Sequence, residues 1–69
     1  MNKDLIEYMR SIYKAGNRVK LISMEGEEHM KHGDTGTITK VDDAGQIHVR
    51  WDNKGSLALQ LDRDEFIKM

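Results

Sequence analysis

The chain has 69 residues with 11 basic and 12 acidic side chains, a formal net charge of −1, and neither cysteine nor proline. That length makes one domain, residues 1–69, near the lower limit for a single hydrophobic core, with an expected stability of roughly 3–5 kcal/mol. Lack of cysteine excludes a disulfide framework and a thiolate metal cage, and balanced charge argues against sequence-blind nucleic-acid binding through massed Lys and Arg. No apolar run approaches the length of a membrane span, and charges in "MNKDLIEYMR" stand where a signal peptide needs its apolar region. The expectation is a cytoplasmic protein with no membrane partner.

In residues 1–15, Leu5, Ile6, Met9, Ile12 and Tyr13 fall at helical spacing and predict an amphipathic helix of about three turns. Asn2 or Asp4 suits its start, Lys14 its negative end, and Gly16 a left-handed stop. The stripe is expected to pack on the domain, with a second role in a homodimer contact or in docking on another protein. From Asn17 the period changes to two: "NRVKLIS" reads as a strand with Val19 and Leu21 on one face and Arg18, Lys20 and Ile22 on the other. "MEGEEHMKHGD" reads as a long polar loop. "TGTITKV" follows as a strand in which Ile38 and Val41 break strict alternation, the mark of a bulge.

"QIHVRW" predicts a strand burying Ile47, Val49 and Trp51 and exposing His48 and Arg50. "SLALQL" predicts one burying Leu57, Leu59 and Leu61 and exposing Ala58 and Gln60. The connections "DDAGQ" and "DNKGS" pair an Asp or Asn entry with a turn glycine, so these strands form a meander. "DRDEFIKM" gives a turn and a last short strand able to close a barrel. The expected fold is mainly β: a five-stranded SH3-like barrel over residues 16–69, preceded by the helix.

Gly16, Val19, Leu21, Gly36, Asp42, Asp43, Gly45, Ile47, Val49, Trp51, Asp52 and Leu57, in this order, resemble a family of small bacterial and mobile-element proteins classed as a domain of unknown function. The likeness spans about Gly16 to Phe66. A broader likeness, through Gly33, Gly36, Ile38 and Val41, is to RNA-associated SH3-like modules. Two loops depart from the family pattern: "EGEEHMKH" replaces an Asp-Pro turn, and "DRDE" replaces a Pro-Gly turn. The resemblance implies a fold and supplies no activity.

The residues themselves offer little chemistry. Glu27, Glu28, His29, His32 and Asp34 are of ligand type, but a flexible loop lacks the fixed geometry and supporting shell that zinc requires, so no metal or cofactor is expected. Ser11, Ser23 and Ser56 lie in no nucleophile elbow, no phosphate-cradling loop is present, and Asp42 and Asp43 read as turn formers. The chain is therefore not expected to be an enzyme.

Two binding readings follow. Arg18, Lys20, Lys40, His48 and Arg50 form a basic stripe on the outer sheet face, suited to the phosphates of a nucleic acid. Trp51 is in phase with the core and is a stacking platform only if exposed. In the alternative, Tyr8 and Ile12 on the helix, or the acidic loops with Glu25, Glu27 and Glu28 and with Asp62, Asp64 and Glu65, bind a protein. Such loops can imitate phosphates, which makes a mobile-element inhibitor of a host nucleic-acid enzyme, for example an anti-CRISPR protein, one form of this reading.

Overall fold

In the computed structural model, which describes residues 2–69, Asn2 caps helix α1 (Lys3–Ile12) by accepting the Leu5 N–H at 2.7 Å. Met1, assigned from sequence to the helical segment, lies outside the described residues. Ile6 and Met9, three residues apart, are the buried positions of α1. The helix ends three residues sooner than expected. The Tyr13 N–H still reaches the Met9 carbonyl at 2.8 Å, but its ring tilts against Phe66 with centroids 5.6 Å apart. Asn17 then accepts the Lys14 N–H, and Gly16, at φ +93°, donates to the Ile38 carbonyl. Gly16 therefore shapes the entry to the sheet rather than the helix end, and Arg10, not Lys14, is the cation of the last helical turn.

Five strands follow: β1 (Arg18–Ser23), β2 (Thr35–Val41), β3 (Gln46–Trp51), β4 (Gly55–Gln60) and β5 (Glu65–Lys68). They form one antiparallel sheet in the order β4-β3-β2-β1-β5. The last strand pairs with the first, leaving β4 and β5 as edges, so the sheet is not closed. No helix is long and apolar enough to cross a membrane among the described residues.

Alternation sends Val19, Leu21, Ile38, Val41, Ile47, Val49, Trp51 and Leu59 to one face, where they join Met9 of α1. The expected bulge is present: the β2–β3 register shifts between Ile38 and Lys40, which keeps both Ile38 and Val41 in the core. The long loop is less solvated than its composition implies. Met30 is buried in the core, Met24 packs against it, and the loop's end is tied down by Gly33 and Asp34, which bond the Leu21 carbonyl and N–H. Lys54 secures the loop from outside, its Nζ donating to the His29 carbonyl at 2.6 Å and to Asp34 Oδ2 at 2.7 Å.

Gly36 sits between Val19 and Trp51 in the ladder, and a Cβ there would lie 2.6 Å from Val49 Cγ1 and 2.8 Å from the Arg50 carbonyl oxygen. Only hydrogen fits beneath the indole. Leu61 does not follow the expected pattern: β4 ends at Gln60 and Leu61 is 42% exposed. Asp64 is the cause, because its Oδ2 accepts the Gln60 N–H at 2.8 Å while the Gln60 carbonyl accepts the N–H groups of Arg63 and Asp64. Those bonds turn the chain one residue early.

Candidate functional site: the outer face and the groove beside β4

On the outer face the ladder sets Arg18 opposite Thr37 and Thr37 opposite Arg50, with Lys40 opposite His48. Two of the five expected cations are engaged there. Arg18 forks onto Asp52 at 2.9 and 2.5 Å and also donates to Thr37 Oγ1, while Thr35 donates to the same carboxylate at 2.7 Å. The guanidinium and the Thr35 hydroxyl together hold the Asp52 carboxyl down to about 2. His48 Nε2 lies 2.8 Å from Asp42 Oδ2. Asp42 also accepts the N–H groups of Ala44 and Gln46, as a turn-forming aspartate should, and these contacts, His48 foremost, lower its pKa.

Lys20, Lys40 and Arg50 remain without a side-chain hydrogen bond or ion pair among the described residues. Trp51 cannot join them. The indole is 2% exposed and its N–H donates to the Leu57 carbonyl at 3.0 Å, which corrects the stacking-platform reading. The position in phase with Ile47 and Val49 buries it.

The acidic loops meet elsewhere. A groove of about 380 Å³ runs beside the free edge of β4. One wall is the turn carrying Met24, Glu25 and Glu27, shaped by Gly26 at φ +81° and by the Met30 N–H bonding the Glu27 carbonyl at 3.1 Å. The other wall carries Arg63 and Asp64, fixed by the bonds that end β4. Leu57 and Ala58 lie between them. Leu57 points inward yet is only half-buried because β4 has no neighbour to cover it, so it supplies an apolar strip in a lining that is otherwise mostly polar and includes Gln46 and Gln60.

Of the acidic residues singled out from sequence, Glu25, Glu27 and Asp64 line this groove, whereas Glu28 and Asp62 do not. Glu65 lines, with Asp64, Tyr13 and Phe66, a neighbouring depression of about 330 Å³. Tyr8, 62% exposed, and Ile12, half-buried, belong to α1 and line neither. Met24, Leu57, Ala58 and Arg63 were not legible as site residues, since alternation does not distinguish an edge strand from a central one.

No group of three or more His, Asp or Glu side chains among the described residues is arranged to hold a metal ion. Asp34, in the histidine-bearing loop, is engaged by Lys54 and the Lys31 N–H, which lower its pKa. Ser11 donates to the Tyr8 carbonyl, and His29 and His48 face Glu27 and Asp42 rather than a serine.

Residues 2–69 match the model of a domain of unknown function (DUF4314). No curated protein matches the chain.

Proposed function

The chain belongs to the DUF4314 family, and from its own geometry we infer that it is a non-enzymatic binding module that takes a basic segment of another protein into the groove beside β4. The observation that carries this is that two loops far apart in sequence bring carboxylates to one groove: Glu25 and Glu27 from one, and Asp64, beside Arg63, from the other. Three carboxylates against the single cation Arg63 leave the groove acidic on balance, which favours Lys and Arg, whose stems cover Leu57 and Met24 while the charged ends reach Glu25 and Glu27. The strand order, in which a short last strand pairs with the first, supports an SH3-like architecture left open on the groove side.

Nucleic acid is the weaker partner. The stripe expected for it retains Lys20, Lys40 and Arg50, because Asp52 and Asp42 engage Arg18 and His48, and the aromatic platform is buried. Phosphate binding depends on the number of cations free to displace counterions. Inhibition of a nucleic-acid enzyme is one form of the protein-binding reading, with the groove carboxylates set against the enzyme's phosphate-binding arginines.

The test is affinity capture from bacterial lysate, with and without nuclease treatment, by three forms of the protein. A protein partner held by the wild type and by Lys40→Glu/Arg50→Glu, but lost by Glu25→Lys/Glu27→Lys, supports this function. Capture that follows Lys40 and Arg50, or that vanishes with nuclease, overturns it.

A further inference from the structure

Resting on the groove reading, we propose that the partner enters as an antiparallel β-strand added to β4, with Lys or Arg at every second position. β4 is an edge of the sheet, and its sequence, Gly55-Ser56-Leu57-Ala58-Leu59-Gln60, carries no charge and no proline. Sheet edges that must stay single are normally blunted by such residues. The opposite edge shows the difference: β5 has four residues, with Glu65 and Lys68 at its two ends. β4 is the undefended edge.

Its backbone is directed for pairing. The N–H and carbonyl of Gln60 bond the turn at Arg63 and Asp64, so they point away from β3. In an antiparallel ladder, residues two apart share that direction, so Ala58 and Ser56 also turn their N–H and C=O groups outward. The turn after Gln60 and the hairpin before Gly55 bound this window, which opens into the groove at Ala58.

The phase of the incoming strand then sets its chemistry. The residue directly opposite Ala58 shares the outer face with Ala58, whereas its two neighbours share the inner face with Leu57 and Leu59. Those neighbours cross Met24 and Leu57 and end beside Glu25 and Glu27. Long side chains with a cationic tip fit both surfaces. Arg63, on the far wall, repels a cation there and directs the basic positions toward Glu25 and Glu27.

Calorimetric titration with a short peptide in which lysine alternates with threonine tests the proposal. Strand addition places the threonine amides against Ala58, so N-methylation of the threonine nitrogens is expected to weaken binding about tenfold or more, and N-methylation of the lysine nitrogens to leave it within about twofold. Equal effects of the two methylations, whether large or absent, overturn strand addition. The double variant Glu25→Gln/Glu27→Gln separates the two levels. If it weakens the peptide while both methylations act alike, the groove stands and the strand does not; if it changes nothing, or if the unmodified peptide does not bind, both fall.

Discussion

Gly36 shows how narrowly one residue can be constrained. Its Cα faces Val49 and the Trp51 indole so closely that any β-carbon overlaps them, while its backbone lies in the middle of the ladder and has nowhere to retreat. Gly36→Ala should destabilise the domain by about 1–3 kcal/mol through overpacking, read from its chemical denaturation midpoint at unchanged slope. Asp52 is constrained by charge instead. Its folded pKa is about 2, below the ordinary 3.8, so its contribution is fully present above pH 4 and is lost as the pH falls toward 2. Asp34 and Asp42 shift in the same direction and add to the same acid limb. Thermal melts of Asp52→Asn should therefore lose less stability than the wild type between pH 4 and pH 2. An unchanged acid limb would contradict the pairing with Arg18. Neither constraint is visible in sequence, where Asp52 reads as a turn residue and Arg18 as a free cation; register alone brings them within 2.5 Å.

Among the elements, the strands were the most legible. Thr35–Val41 and Gln46–Trp51 have the bounds that alternation and the Asp-Gly turns imply, and the break at Ile38 and Val41 correctly signalled a bulge. What alternation could not supply was tertiary placement. Leu61 stays outside because a carboxylate three residues later ends the strand at Gln60, and Met30 enters the core from a loop whose neighbours are charged. The helix divides along the same line. Met9 is 1% exposed and contributes to the core, so Met9→Ala should cost about 2–4 kcal/mol, whereas Tyr8→Ala, one residue earlier and mostly exposed, should stay within about 0.5 kcal/mol. Equilibrium urea unfolding of the two variants checks the contrast. Similar losses for both would mean that α1 packs by another face. At its start, Asn2→Ala removes the acceptor for the Leu5 N–H and should cost about 1 kcal/mol.

For the whole molecule, a near-zero net charge conceals an uneven distribution, on which the proposed function rests. On the outer face Asp52 engages Arg18 and Asp42 engages His48, while Glu25, Glu27 and Asp64, with Arg63 among them, gather beside the open edge of β4. Sequence showed both sets of charges and could not rank them, because pairing across strands and convergence of distant loops are products of folding. If the groove takes a basic segment as proposed, binding should weaken as salt is raised, chiefly through slower association, because opposite charges attract at long range. Stopped-flow association rates at increasing ionic strength measure this directly. The location of the bound partner is the more decisive observation, and amide NMR titration of the protein with the lysine–threonine peptide and, separately, with a short DNA duplex provides it. The account predicts peptide-induced shifts centred on Met24 to Glu27, Leu57 to Gln60 and Arg63 to Asp64, with no comparable response to the duplex. Shifts induced by the duplex at Lys20, Lys40 and Arg50, with the groove unmoved by the peptide, would contradict it and return the function to the outer face.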